Sequence, residues 1–177
     1  GMKKSMEQLY APWRSSYITS TARSKNESAA SDECVFCTVI AQTCDEKNSV
    51  LKRYKHTFVL LSRYPYNAGH LLVLPYEHIG NLEELPDAVS HELMQVTVAS
   101  VSILKKALHA QGVNLGMNLG KVAGAGIPAH LHMHALPRWH GDTGFLPLIG
   151  EVKAVSCDLN EVYRQLKPHF DLYSPDA

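Results

Sequence analysis

The sequence is short of several things, and each shortage removes a class of protein. Its 177 residues include only four cysteines, at 34, 37, 44 and 157. Four scattered thiols with no secretory segment ahead of them do not make a disulfide framework. Neither charge is in surplus, since Lys plus Arg is 17 and Asp plus Glu is 17. A protein that coats DNA or RNA normally carries a basic excess, and an acidic tail would tip the balance the other way. No stretch approaches the roughly eighteen apolar residues of a membrane-spanning helix. The opening Gly1-Met2-Lys3-Lys4-Ser5 is basic but leads into no apolar signal core. The expectation is a soluble cytoplasmic protein with no membrane and no nucleic-acid polymer as partner. A hydrophobic content of 45% fits a folded domain. A chain this long can bury a core without covalent staples.

Histidine is what the sequence has in plenty. There are ten, against four Phe, five Met and two Trp. No oligohistidine tract explains them, so a metal site or a catalytic site is the natural reading.

Residues 1–33 read as an arm. The stretch 25–33 (KNESAASDE) is small, polar and charged, as in a linker. Trp13 and Tyr17 sit earlier in the arm, where they could stack on a ligand or anchor the arm by packing. Residues 34–177 read as one domain. Stretches 49–54 and 57–61 are rich in strand formers and read as a hairpin. Residues 64–69 (YPYNAG) read as a turn-rich loop. HLLVLP at 70–75 reads as a buried strand that stops at proline. Residues 86–109 lack glycine and internal proline. Val89, Leu93, Val96, Val101, Leu104 and Leu108 recur at helical spacing, which predicts a helix of about six turns. Pro86 suits its first turn and Gly112 its stop. VNLGMNL at 113–119 alternates as a strand does. GKVAGAGIP at 120–128 is a glycine-rich loop. Residues 158–170 predict a second amphipathic helix capped by Asp158. Hairpin-length connections with one inserted helix and one final helix indicate an α+β fold on an antiparallel sheet.

His130-Leu131-His132-Met133-His134 is the centre of the functional reading. Side chains alternate along a strand, so the three imidazoles share one face, while Leu131, Met133 and Ala135 share the other. A row of imidazoles has no packing rationale, because each buried ring needs partners for two nitrogens. Metal binding and nucleophilic imidazole chemistry both remain open at this level. Gly120, Gly124 and Gly126 just before the strand can present backbone amides to an anion. A phosphate set against a neutral imidazole would be open to attack near neutral pH. Cys34 and Cys37 have the spacing by which two thiolates reach one metal ion. A redox dithiol of the thioredoxin kind would call for a βαβ context that is absent.

These residues resemble the histidine triad (HIT) family. His130-Leu131-His132-Met133-His134-Ala135-Leu136 matches its pattern of three histidines separated by apolar residues. Cys34-Val35-Phe36-Cys37, Gly69-His70-Leu71-Leu72-Val73-Leu74-Pro75, His78 and Asn118 match in the expected order. The continuation Pro137-Arg138-Trp139-His140-Gly141-Asp142-Thr143, with Ala11-Pro12-Trp13-Arg14, resembles the bacterial branch related to diadenosine tetraphosphate phosphorylases and hydrolases. The resemblance covers roughly residues 34–140. It implies a five-stranded antiparallel sheet with one long helix and a C-terminal helix, commonly in a homodimer whose sheets join. It also implies a nucleotide hydrolase or transferase acting on compounds such as diadenosine polyphosphates. His132 would be the nucleophile, His134 would bind phosphate or assist the leaving group, and His70 would support them. Asn118 and the backbone at Ala125 and Gly126 would hold phosphates, with Mg²⁺ as a companion of the substrate. Ser62 stands where the family usually has an acidic or amide residue for the ribose. Gly126 stands where many members carry Gln. Cys34, Cys37, His78 and His130 match the ligands of a structural Zn²⁺. Two other readings stand beside this one: a nucleotide-binding module of the same fold with little turnover, and a metal-dependent enzyme using all three triad histidines. Arg138 could pair with phosphate or with Asp142, and His140 has no assigned role. His56, His91, His109 and His169 read as surface residues.

Overall fold

A computed structural model describes residues 34–143 and 158–175. The arm expected at 1–33, with Trp13 and Tyr17, and Cys157 lie outside the described residues. In chain order come α1 (Val35–Ala41), β1 (Val50–Arg53), β2 (Thr57–Leu61), β3 (Leu71–Pro75), α2 (Asp87–Leu108), β4 (Gly112–Gly116), β5 (Met133–Arg138) and α3 (Leu159–Leu172). The strands form one five-stranded sheet in the order β1-β2-β3-β5-β4. Every pairing is antiparallel. The α+β architecture expected from the sequence is therefore the one observed.

The sheet divides the core in two. On one face Leu51, Val59, Leu61, Leu71, Val73, Leu131 and Ala135 pack with Val89, Leu93, Val96 and Leu104 of α2 and Val162, Leu166 and Phe170 of α3. On the other, Val50, Phe58, Leu60, Leu72 and Leu74 pack with Cys34 and Phe36 at the start of α1. β2 and β3 are buried along their whole length. That is why they read as continuous apolar runs and not as alternating ones. β4, at the sheet edge, is half-buried at Gly112 and Val113 and exposed from Asn114 to Gly116.

The long helix packs Val89, Leu93, Val96, Leu104 and Leu108 of its expected stripe into the core, leaves Val101 out of it, and adds Ile103 and polar members. Thr97 and Ser100 are buried, and their hydroxyls donate back to the carbonyls of Leu93 and Val96, both at 2.7 Å. Glu92 is also buried, and Oε2 accepts from the His56 amide and the Thr57 hydroxyl, each at 2.8 Å. This carboxylate pins α2 to the start of β2. The ends of the helix differ from expectation. Pro86 is the N-cap, one place before the first turn. The stop is His109, in the left-handed region with φ 52°. Gly112 instead opens β4. Local spacing marked the glycine, but the turn needs its left-handed residue three positions earlier. β4 ends at Gly116, short of the expected 119, and the ladder of β5 begins at Met133. Asp158 caps α3 as expected, its side chain accepting from the Asn160 amide at 2.8 Å.

Gly69 is required by its left-handed backbone and Gly80 by the close approach of another main-chain segment. A Cβ on Gly69 (φ +78°) would lie 2.5 Å from Leu108 Cδ1. A Cβ on Gly80 would lie 2.6 Å from the Pro128 carbonyl oxygen. The second contact lets the 78–80 segment lie against the start of the triad segment, where the Leu131 amide donates to the Ile79 carbonyl at 2.8 Å.

Leu104 is fully buried between α2 and the sheet, whereas Val98 on the same helix is 61% exposed. Leu104→Ala is expected to lower unfolding free energy by about 2–5 kcal/mol, and Val98→Ala by no more than about 0.5 kcal/mol. Chemical denaturation of the two variants checks this; equal effects would mean that α2 does not pack by this face.

Candidate active site and metal centre

The alternation at 130–135 sorts the side chains as the sequence predicts. Leu131, Met133 and Ala135 join the helix-side core. His130, His132 and His134 lie on the face covered by α1. Phe36 of α1 packs against both His130 and His132, with ring centroids 5.5 and 5.3 Å away. The rings of His132 and His134 are 4.9 Å apart, and His70 at the start of β3 lies 5.1 Å from His134.

The hydrogen bonds assign a role to each ring nitrogen. A carbonyl only accepts, so His132 Nδ1 carries a proton and donates to the His130 carbonyl at 2.9 Å. Its Nε2 keeps the lone pair. The Tyr66 amide donates to His70 Nδ1 at 3.2 Å, so a neutral His70 carries its proton on Nε2. That proton is donated to His134 Nδ1 at 2.8 Å. A neutral His134 then has its proton on Nε2, a buried atom with no hydrogen-bond partner among the described residues. The result is one lone pair, on His132, beside one uncommitted N–H donor, on His134.

Burial keeps these rings neutral. His70 is pushed down to about 4, first by burial and then by the neighbouring His134 and His132. His134 is likewise pushed down to about 4 by burial and by His132. Burial lowers His132, and its hydrogen bond to the His130 carbonyl offsets part of that. Burial lowers His130 as well.

His130 faces away from this pair, into a second cluster. One donor atom from each of Cys34, Cys37, His78 and His130 lies within 4.8 Å of all the others. The Cys34 and Cys37 sulfurs are each 3.6 Å from His130 Nδ1, and Cys37 Sγ is 3.3 Å from His78 Nδ1. A tetrahedral zinc ion with Zn–S about 2.3 Å and Zn–N about 2.0 Å spaces its sulfur and nitrogen ligands about 3.6 Å apart. His130 Nε2 donates to the Pro75 carbonyl at 2.9 Å, which turns an unprotonated Nδ1 toward the thiols. This is the outer hydrogen bond that a metal-bound histidine needs. The four residues therefore fit a Cys₂His₂ zinc site, and they are the only such group among the described residues. His130 Nδ1 is turned into this cluster, and the three triad histidines form no metal-holding group of their own among the described residues.

The other expected site residues fall as follows. Ser62 is buried at the end of β2, and its amide donates to the His70 carbonyl at 2.8 Å. The Asn118 side-chain amide lies 3.4 Å from the Gly124 carbonyl. Gly120 and Gly124 have positive φ, and the loop between them closes through the Ala125 amide and the Gly120 carbonyl at 3.3 Å. A Cβ added at Gly126 meets nothing within 4 Å. Arg138 is taken by Asp142, through Nε to Oδ2 at 2.7 Å and Nη2 to Oδ1 at 2.9 Å. The Asp142 carboxyl is held well below the usual range, first by that guanidinium. His140 is exposed, and its amide is bonded to the Gln111 side chain. His91 and His109 are exposed, while His56 and His169 are half-buried. Sequence reasoning passed over Phe36, which lies between the two cysteines, and the loop 64–69, read there only as a turn. That loop supplies Tyr66, and Asn67, whose side-chain amide donates to the Pro137 carbonyl at 3.0 Å and to Asp142 at 2.8 Å.

Comparison with known proteins agrees with this geometry. The HIT domain family model matches residues 44–141, more than half of the chain. An AP-4-A phosphorylase of Mycobacterium tuberculosis is 35% identical over 166 residues, covering 94% of this chain and 85% of the relative. An uncharacterised HIT-like protein of Methanocaldococcus jannaschii is 37% identical over 134 residues, covering 76% of this chain and 98% of that one. Among solved structures, a Zn-bound histidine triad family protein from Mycobacterium smegmatis superposes with a TM-score of 0.66 at 26% identity, covering 80% of this chain and 96% of that one. The chain belongs to the HIT family. The likeness to an AP-4-A phosphorylase supports a nucleotide hydrolase or transferase activity.

The neutral histidine pair predicts a particular pH response. The unfolded chain binds a proton at each histidine near pH 6.5. The folded pair refuses protons until about 4. Stability therefore falls as pH drops through that window, by at most about 1.4 kcal/mol per pH unit for each excluded proton. Denaturation of wild type and His70→Asn at pH 7 and pH 5 is expected to give a smaller loss in the variant. An equal or larger loss there would mean the pair is not held neutral.

Proposed function

We propose that the chain cleaves dinucleoside polyphosphates by nucleotidyl transfer to His132. The observation that carries this reading is the pairing of a lone pair on His132 Nε2 with a free N–H on His134 Nε2. His132 Nε2 attacks the α-phosphorus, forming a P–N bond as the P–O bond to the leaving phosphate breaks. His134 Nε2–H donates to the phosphate oxygens on which charge gathers. The His130 carbonyl, already bonded to His132 Nδ1–H, supports the imidazolium that forms. An acceptor then breaks the P–N bond and restores the histidine. Water would release a nucleoside monophosphate, and inorganic phosphate a nucleoside diphosphate. The open space at Gly126 and the likeness to an AP-4-A phosphorylase support phosphate as the acceptor.

In this reading Ser62 contacts the ribose. Asn118, with the backbone of Ala125 and Gly126, lines the phosphate path, and Mg²⁺ accompanies the substrate phosphates. Cys34, Cys37, His78 and His130 hold a structural Zn²⁺ that fixes α1 against the triad segment. Residues 34–177 act as the catalytic domain, with 1–33 as an appended arm. The exposed edge of β4 supports a homodimer formed edge to edge. Cysteines in the proposed zinc cluster that form no disulfide suit the reducing cytoplasm. No helix among the described residues is long and apolar enough to cross a membrane.

Diadenosine tetraphosphate incubated with wild type is expected to yield ADP only when inorganic phosphate is added. His132→Ala is expected to lose at least about 10³-fold in kcat, as removal of a covalent nucleophile does. Turnover by His132→Ala near the wild-type rate would overturn the nucleophile. AMP release without phosphate would replace phosphorolysis by hydrolysis. Binding without turnover by wild type would favour a nucleotide-binding module.

The zinc assignment is checked by metal analysis. Wild type grown with zinc is expected to carry about one Zn²⁺ per chain, and Cys37→Ser clearly less. A wild-type chain that retains no zinc would overturn it.

A further inference from the structure

Tyr66 is the most exposed large group that touches the catalytic histidines. Its ring lies nearly parallel to that of His134, at 14° with centroids 6.2 Å apart, and 4.9 Å from that of His70. Yet 61% of its surface faces solvent. Tyr64, two residues earlier, is 82% exposed. Exposed aromatics usually stand on yielding loops, but this loop is tied at several points. The Tyr66 amide holds His70 Nδ1. The neighbouring Asn67 is buried and bonded to the Pro137 carbonyl and to Asp142, at the far end of β5. The His70 amide donates to the Asn67 carbonyl at 3.2 Å. Gly69 holds φ +78°, a backbone conformation that side-chain-bearing residues rarely adopt. The protein thus holds an apolar, planar surface rigidly in water beside its free phosphate donor. Core packing does not require it, since most of the ring is outside the core.

We infer that Tyr66, with Tyr64 at its side, is a stacking platform for the second nucleoside of the substrate, the one that departs with the leaving polyphosphate. This rests on the nucleotidyl-transfer reading above and makes it more specific. The α-phosphate under attack lies at His132 and the bridging phosphates pass His134. The chain leaving past His134 meets the Tyr66 ring next. A base on an aromatic ring is held by stacking and not by edge recognition, so the platform selects for the presence of a second base and little for its identity. Preorganisation of the loop lowers the entropy lost when that base docks.

The test compares diadenosine tetraphosphate with adenosine 5′-tetraphosphate, which lacks the second nucleoside. The quantity read is the ratio of kcat/KM for the two. Tyr66→Leu is expected to lower that ratio by roughly 5- to 100-fold, the range of a single base–aromatic stack. The loss should lie mainly in KM for the two-base compound, and Tyr66→Phe should restore most of the ratio. An unchanged ratio in Tyr66→Leu would overturn the platform. So would an equal loss on both substrates, which would show only that the ring supports His134. To separate this from the parent reading, the same two compounds are titrated calorimetrically into His132→Asn and His132→Asn/Tyr66→Leu. Tyr66-dependent preference for the two-base compound without turnover by wild type would remove the chemistry and keep the platform. Equal affinity ratios in the two proteins would overturn the platform whatever the turnover.

Discussion

A buried imidazole has two nitrogens, and the fold must give each of them something to do. This one constraint orders the functional half of the protein. Four histidines, His70, His130, His132 and His134, lie on one side of the sheet, with His134 about 5 Å from both His70 and His132, and all would cost free energy if left unpaired. The backbone resolves the conflict. The carbonyl of His130 takes one nitrogen of His132, the carbonyl of Pro75 takes one of His130, and the amide of Tyr66 takes one of His70. His70 in turn takes one nitrogen of His134. His70 is then fully committed, and His130, His132 and His134 are each left with one defined nitrogen; the protein's chemistry consists of what those three face.

They face two different things although alternation puts all three rings on one face, because each ring is turned by a different hydrogen bond. His130 is turned toward the thiols of Cys34 and Cys37, and His132 and His134 are turned toward each other. The two sites are nevertheless one peptide unit apart. His130 contributes its ring to the Cys/His cluster and its carbonyl to His132, so any rotation of this residue moves both. Phe36, held between the two cysteines in sequence, closes the same link from α1 by packing on both rings. The close approach at Gly80 serves it too, by letting the His78 segment lie along residues 128–131. A structural metal here would act at a distance of one carbonyl from the reaction.

Much of this was legible in the sequence, because it depends on short periods. Alternation at 130–135 predicted which side chains share a face, and helical spacing at 86–109 predicted the packed face of α2. The spacing of Cys34 and Cys37 pointed to a metal before any partner was known. What could not be read was nonlocal or carried by the main chain. Nothing in the run of residues says that the Tyr66 amide will meet His70, or that the Pro75 carbonyl will meet His130 across 55 positions. The left-handed turn at His109 was hidden by a glycine three residues later that had another use. Tyr64–Gly69 carried strong turn signals, and these concealed an exposed aromatic pair whose Tyr66 ring lies against His70 and His134.

The balanced charge noted at the outset now has a physical meaning. A polyphosphate carries several negative charges, and Arg138 was the cation best placed by sequence to meet them. Its guanidinium is committed to Asp142, which also accepts from the Trp139 amide and from Asn67. The pair braces the end of β5 and the tyrosine loop, and it presents no free cation to the site. Neutral donors remain: the Nε2–H of His134, the amide of Asn118 and the backbone of the glycine loop. Such donors hold a bound phosphate less strongly than cations do, but they need no reorganisation as charge shifts onto an oxygen. Under the proposed nucleotidyl transfer, a site built this way would hold its substrate's phosphates loosely and gain most when the P–O bond is breaking. Part of the ground-state affinity must then come from elsewhere on the substrate, and a base offers apolar surface for it.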